Sequence, residues 1–309
     1  MTMRTIGRFA PSPTGPLHFG SLIAALGSWL SARAAGGHWY LRIDDLDPDR
    51  SIAAMTNTIQ VQLEAFGLTW DGPVLYQSGR TEAYVAALEQ LEAAGRLYRC
   101  TCTRREIGAG ARYGPLGAIY PGTCRNGPTH PERDAALRLR LSAGRHEVAD
   151  RIQGAWSIDA DRIGDVIVRR RNGVTGYHLA TTVDDAFLGV TDVVRGSDLL
   201  PAAVIQNELQ RGLGLHAPAW AHLPVMMTAD GTDKLSKQTG APPVNPAHDP
   251  VTPLIQAWTF LGQEPPFETP ATPAEFLAWA LSRWDEGAIP PGERLVAAGP
   301  GGGLRREGA

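Results

Sequence analysis

Apolar positions along the chain fall into short extended runs alternating with helical faces. "TIGRFA" (Thr5–Ala10) reads as a strand, and "LIAALGSWL" as an amphipathic helix with Leu22, Leu26 and Leu30 or Trp29 at helical spacing. "WYLRI" (Trp39–Ile43) is again strand-like. Ile52, Met55, Ile59, Leu63 and Phe66 then mark a second helical face, and "RTEAYVAALEQLEAAG" predicts a third helix stopped by Gly95. Strands alternating with helices predict a parallel sheet, whose ligand site lies beyond the carboxyl ends of its strands. That places the loop after the first strand and Asp44 at one rim.

From Arg96 to about Asp150 the periodicity fades and turns multiply, which reads as an inserted module. "DVIVRRRNGVTGYHLATTVDD" follows, with two β-rich runs around the hairpin signal Asn172-Gly173. In "VTDVVRGSDLLPAAVIQNELQRGLG" the parallel pattern resumes as a strand and then a helix with Pro201 near its first turn. The last 20 residues, "PPGERLVAAGPGGGLRREGA", are expected to fray. The chain thus divides into residues 1–95, 96–150, 151–245 and 246–309.

Composition narrows the class. At 309 residues and 43% hydrophobic the chain can bury a real core. A net charge of −3 means that any nucleic acid must meet a local basic face. Arg104, Arg105, Arg138, Arg140 and the run Arg169 to Arg171 are available, each equally explained as a solvated charge. No apolar stretch approaches the roughly 18 residues of a membrane span, and the first residues lack the h-region of a signal peptide. A cytoplasmic monomer is expected.

Three stretches carry candidate chemistry. In "RFAPSPTGPLHFGS" (Arg8–Ser21) prolines and glycines shape a strand-to-helix loop over a helix N-terminus, where unpaired N–H groups and the helix dipole favour a phosphate; an ordinary proline-rich turn reads the same way. Cys100, Cys102 and Cys124 form an odd, clustered set that suits Zn²⁺ better than disulfides. A fourth ligand is then needed, and His130, Tyr120 and Tyr113 are candidates. Finally, "GTDKLSKQ" (Gly231–Gln238) sets Lys234 and Lys237 three apart, suited to an anion that gathers charge during reaction, such as a pyrophosphate leaving group.

"PSPTGPLHFGS" resembles the first signature of the class I aminoacyl-tRNA synthetases in its glutamate-specific form, and "KLSKQ" resembles the second. "RIDDLDPDR", "GYHLATTVDD" and "VRGSDLL" are similar to the same branch, so the resemblance covers residues 4 to 245. Within that branch, "CTC" followed by "YPGTC", and the glutamine of "KLSKQ", resemble the short glutamyl-queuosine tRNA(Asp) synthetase family. The end of the chain about 70 residues after the lysines points the same way, since a full glutamyl-tRNA synthetase would need a further anticodon-binding domain on the order of 100 residues.

The resemblance implies an α/β, Rossmann-like class I catalytic domain with an inserted zinc-binding module and a short C-terminal extension. It implies ATP-dependent activation of L-glutamate, with Mg²⁺ accompanying ATP, and transfer to queuosine on tRNA(Asp). By resemblance Arg8, Ala10, Ser12, Asp44, Tyr177 and Arg195 form the glutamate pocket, with Arg195 a bidentate fork for a carboxylate. His18, Ser21, Lys234 and Lys237 contact ATP, with His18 and Lys237 catalytic. Cys100, Cys102, Tyr120 and Cys124 hold one structural Zn²⁺, Tyr120 ranking above His130 because its spacing to Cys124 matches the family. One departure stands out: Ile43-Asp44-Asp45 replaces the usual Ile-Glu-Asp, shortening the carboxylate's reach by about 1.5 Å. A truncated enzyme charging a tRNA 3′ end, a small-molecule adenylate-forming ligase and a non-catalytic RNA-binding paralogue are the alternative readings.

Overall fold

The computed structural model describes residues 4–48, 50–227, 243–292, 295–296 and 305–306. Strand β1 (Ile6–Phe9) leads through the proline-rich loop into α1 (Phe19–Ala34), and β2 (His38–Ile43) returns parallel to β1 with Gly7 opposite Trp39. The return is tight, because a Cβ on Gly37 would lie 2.2 Å from the Thr5 carbonyl oxygen. Leu22, Leu26, Leu30 and Trp29 all turn inward from α1. Helix α2 (Ala53–Ala65) buries Ile59 and Leu63, with Phe66 just beyond its end, but Ile52 precedes the first turn and is 50% exposed rather than part of that face. Strand β3 (Leu75–Tyr76) pairs parallel with β2, and α3 (Thr81–Ala93) stops at Gly95 with φ +67°.

Beyond α3 lie β4 (Leu97–Cys100), α4 (Arg104–Gly108), a small hairpin of β5 (Tyr113–Gly114) and β6 (Gly117–Ala118), β7 (Ala136–Leu139), β8 (Arg145–Asp150), β9 (Gly154–Asp159) and β10 (Ile167–Arg169). Apart from the β5–β6 hairpin, which pairs only with itself, these strands divide between two sheets. An antiparallel sheet runs in the order β10-β7-β4, so its third strand lies well beyond Asp150. Strand β8 instead forms a hairpin with β9 and joins the four-stranded sheet β11-β12-β8-β9, in which β11 is Asp192–Gly196 and β12 is Ala219–Leu223.

The expected hairpin at Asn172-Gly173 is only half present. The turn forms, with Gly173 at φ +87° and Arg170 N–H donating to the Val174 carbonyl at 2.8 Å. The second run, however, is α5 (Tyr177–Phe187). Its threonines mimic strand composition, yet Thr181 and Thr182 are buried in the helix, and Thr182 Oγ1 donates back to the His178 carbonyl at 2.8 Å, which satisfies a hydroxyl that would otherwise oppose helical burial. Strands β11 and β12 are parallel, flanking α6 (Leu200–Leu213), which carries Pro201 in its first turn and ends at left-handed Gly214.

The two parallel systems meet along β1. Thr191 N–H donates to the Ile6 carbonyl at 3.0 Å and Ile6 N–H donates to Thr191 Oγ1 at 2.8 Å, setting β11 beside β1 on the side away from β2. The chain therefore winds outward from β1 in both directions. In such a sheet the crevice outside the carboxyl ends of β1 and β11 is where a ligand fits. After the short strand β13 (Met226–Met227), helices α7 (Val251–Phe260) and α8 (Pro273–Leu281) cover α1, and Trp258, Phe260 and Phe276 share one apolar core with Leu22 and Leu26. Among the described residues no helix is long and apolar enough to cross a membrane.

Candidate functional site

At that crevice lies a cleft of about 610 Å³. Arg8, Ala10 and Ser12 enter from β1 and its loop, His18 and Ser21 from the start of α1, Asp44 from beyond β2, Tyr177 from the first residue of α5 and Arg195 from β11. The structure thus brings the eight described candidates for glutamate and ATP to one cavity. Lys234 and Lys237 lie outside the described residues.

His18 is the N-cap of α1. Its backbone is extended, and Nδ1 accepts the Ser21 N–H at 3.3 Å, so in the neutral ring the proton sits on Nε2. The loop carrying it is tied down by Gln62, which sequence reasoning missed. Gln62 Oε1 accepts Leu17 N–H at 2.8 Å, while Nε2 donates to the Val244 carbonyl at 2.7 Å.

The floor is an arginine–carboxylate network. Arg42, fully buried, donates from Nε to Asp44 at 2.6 Å, from Nη1 to Asp185 at 2.5 Å and from Nη2 to Thr181 at 3.3 Å. Asp185 also accepts from Arg8 Nε at 3.3 Å, and Arg8 Nη1 donates to the Val194 carbonyl at 3.2 Å. Burial pushes the Asp44 carboxyl above its usual range although Arg42 pulls it down. Neither Arg42 nor Asp185 was a sequence candidate. The available signal was an arginine inside an apolar strand of a parallel sheet, where both faces are covered.

Arg195, expected to pair with a carboxylate as a bidentate fork, is already anchored from behind: it donates from Nε to His222 Nε2 at 3.0 Å, from Nη1 to Gln206 Oε1 at 2.8 Å and from Nη2 to the Leu199 carbonyl at 3.0 Å. Three of a guanidinium's five N–H groups are thereby used, leaving one on each terminal nitrogen. His178, next to Tyr177, is held neutral, its pKa brought down to about 4 by burial and then by the Arg195 charge.

A second constellation sits at the end of β4. The Sγ atoms of Cys100, Cys102 and Cys124 lie within 4.8 Å of one another, and Tyr120 Oη is 3.4 Å from Cys100 Sγ and 3.5 Å from Cys102 Sγ. A tetrahedral Zn²⁺ with Zn–S near 2.3 Å separates its sulfurs by about 3.8 Å, a spacing this cluster can meet. Burial raises the Cys124 thiol, but hydrogen bonds from the Thr129 backbone, Tyr120 and Thr101 outweigh it and bring the pKa to about 5. The other two candidates stand apart: the His130 ring faces Glu132 at 3.5 Å, and Tyr113 is 75% exposed.

The arginines offered as a basic face separate likewise. Arg104 and Arg105 are exposed on α4. Arg138 is buried over the Tyr120 ring at 3.7 Å, Arg140 lies over Tyr98 at 4.9 Å, and Arg171 donates to the Thr101 and Cys102 carbonyls. Arg138 thus supports the module from within, Arg140 is half-buried beside it, and Arg171 braces the cysteine loop from the exposed surface.

Residues 4–266 match the family "tRNA synthetases class I (E and Q), catalytic domain". A glutamyl-Q tRNA(Asp) synthetase of Chromobacterium violaceum is 48% identical over 287 residues, 93% of this chain and 95% of the relative. Another so named, from Ectopseudomonas mendocina, is 45% identical over 300 residues, 96% of this chain and 99% of the relative. Among solved structures, the glutamate-tRNA synthetase of Elizabethkingia anophelis superimposes with a TM-score of 0.74 at 25% identity, covering 93% of this chain and 67% of that one. With the parallel sheet, its switch-point cleft and the two sequence signatures, these likenesses show that the chain belongs to the class I tRNA synthetases of the glutamate and glutamine branch, in the group of glutamyl-Q tRNA(Asp) synthetases.

Proposed function

We propose that the chain activates L-glutamate with ATP to glutamyl-adenylate and transfers the glutamyl group to queuosine in tRNA(Asp). The observation that carries this reading is the convergence of a His18-capped helix start, Arg8, Arg195 and Tyr177 on one cleft at the β1–β11 crevice. The glutamate α-carboxylate attacks the α-phosphorus of ATP, the bond to the β,γ-diphosphate breaks, and pyrophosphate leaves. No covalent bond to the protein is needed. The protein's part is to position two anions and to stabilise charge as it develops, which suits a cleft lined by Arg8, Arg42, Arg50 and Arg195 beside a helix N-terminus. ATP would arrive with Mg²⁺, which screens the phosphate charge.

Arg8 and Arg195 supply the cationic wall for the amino acid, and Tyr177, 39% exposed, supplies a hydroxyl at its mouth. Asp44, ion-paired to Arg42 at 2.6 Å, supplies the carboxylate for the substrate's ammonium group. His18 and Ser21 face the nucleotide, together with Lys234 and Lys237 by resemblance. Cys100, Cys102, Cys124 and Tyr120 would hold one Zn²⁺ that fixes the module's loops, a structural task separate from the chemistry.

Glutamate-dependent exchange of labelled pyrophosphate into ATP tests the first step. Wild type should exchange, and Arg195→Ala should lose a charge-assisted contact worth about 1.5–3 kcal/mol, lowering exchange at least about tenfold. Undiminished exchange in the variant would remove Arg195 from the glutamate site.

A further inference from the structure

One buried chain of hydrogen bonds behind the cleft deepens this reading and rests on it. Arginine Nε can only donate, so His222 Nε2, 3.0 Å from Arg195 Nε, must present its lone pair. The proton of the neutral ring then sits on Nδ1, which lies 2.6 Å from Asp150 Oδ2. Asp150 is itself fixed by the backbone: its Oδ1 accepts N–H groups from Ile152 at 3.0 Å, Gln153 at 2.8 Å and His222 at 3.1 Å. The side chains of Asp150 and His222 are wholly buried and Arg195 is nearly so.

The sheet produces this alignment. Asp150 on β8 is in register with Trp220 on β12, and His222, two residues along β12, is in register with Arg195 on β11. Three adjacent strands thus carry carboxylate, imidazole and guanidinium in sequence toward the cleft. Trp220 closes the file from one side, its ring stacked on His222 at 6.0 Å and lying 4.8 Å from the Arg195 guanidinium carbon. We infer that Asp150 and His222 are positioning residues, which select one imidazole tautomer and so orient the two remaining N–H groups of Arg195 toward the anionic group of the amino-acid substrate. Neither touches the substrate. With the other tautomer, two N–H groups would face each other across the His222–Arg195 contact and the guanidinium would have to turn away.

The test compares His222→Phe, His222→Gln and Asp150→Asn by pyrophosphate exchange, alongside ¹⁵N NMR of the histidine rings. The phenylalanine removes the acceptor and the glutamine restores one. The asparagine can keep its oxygen on the backbone N–H groups while its NH₂ faces Nδ1, which drives the ring proton to Nε2. Expected are a glutamate KM raised at least about tenfold in His222→Phe and Asp150→Asn, with kcat and the ATP KM within about twofold of wild type. Glutamine should recover most of the glutamate KM, and NMR should place the wild-type His222 proton on Nδ1 and the Asp150→Asn proton on Nε2. An unchanged glutamate KM in His222→Phe, an equal rise in both KM values, or a wild-type ring protonated on Nε2 would overturn the inference. Absence of glutamate-dependent exchange in the wild type would instead overturn the activity reading, and the tautomer spectra would still decide the hydrogen-bond chain.

Discussion

Arg42 donates to Asp185 across 2.5 Å, joining the end of β2 to α5 beneath the cleft, and its other nitrogens reach Asp44 and Thr181. A fully buried guanidinium between two carboxylates is costly to desolvate, and its removal strands Asp44 and leaves Asp185 with Arg8 alone. Arg42→Ala is therefore expected to destabilise the fold by about 3–5 kcal/mol, read from urea unfolding. Arg42→Lys should recover only part of this, since a point charge cannot address Asp44, Asp185 and Thr181 together. Near wild-type stability in the alanine variant would show that the network contributes nothing net.

Zinc content follows from the clustering of Cys100, Cys102 and Cys124 beside Tyr120. Elemental analysis of the purified protein should find about one Zn per chain, and Cys124→Ser should lower that content while increasing proteolysis within residues 96–150. Loss of metal should leave the β11–β12 sheet intact. A metal-free wild type, fully folded and active, would show that three thiols and a phenol hold this module by hydrogen bonds alone.

His178 gives the stability curve an acid limb. Its folded-state pKa is about 4 against 6.5 for an ordinary imidazole, because burial and then the Arg195 charge oppose protonation, and its Nδ1 finds no hydrogen-bond partner among the described residues. Between those values the unfolded chain binds a proton that the folded chain refuses. The contribution is therefore full above pH 6.5 and is lost as pH falls toward 4. Urea unfolding at steps across that window should show a shallower decline in His178→Phe than in wild type. Equal slopes would place the acid sensitivity elsewhere.

The strands, helices and chemical loops that alternate most regularly were legible in the sequence. Leu22, Leu26 and Leu30 repeat with the helical period, and Pro201 and Gly95 mark helix boundaries that the structure keeps. What escaped was set by tertiary pairing. The threonines of α5 read as strand because composition carries no record of the back-bond from Thr182 to His178. Asp150 looked like the last residue of an insertion, while its pairing with Trp220 and bonds to His222 put it behind the cleft. Arg138 and Arg140 looked like a basic surface, and only the packed rings of Tyr120 and Tyr98 reveal Arg138 as an interior cation and Arg140 as a half-buried one. The resemblance located Arg8, Tyr177 and Arg195, whereas the partners that already occupy Arg195 belong to neighbouring strands and could not be read along the chain.

The acceptor is the remaining step, and chemistry supplies its argument. Two relatives named glutamyl-Q tRNA(Asp) synthetase match along 95% and 99% of their own lengths. The queuosine ring carries vicinal hydroxyls, as the terminal ribose of a tRNA does, so one activated glutamyl group can serve either acceptor. Sequence-specific RNA recognition generally targets unstacked bases in loops, with arginine–phosphate contacts setting the backbone, and Arg104 and Arg105 are exposed for such contacts. Labelled glutamate should therefore attach to queuosine-containing tRNA(Asp), should remain attached when the tRNA's 3′-terminal adenosine has been removed beforehand, and should not attach to the unmodified transcript. Arg104→Ala with Arg105→Ala should weaken tRNA binding and flatten its salt dependence while leaving pyrophosphate exchange intact, because phosphate contacts add to the salt slope roughly one by one. Glutamylation of unmodified tRNA(Glu) at its 3′ end, as fast as or faster than that of queuosine-containing tRNA(Asp), would reassign the chain to ordinary charging.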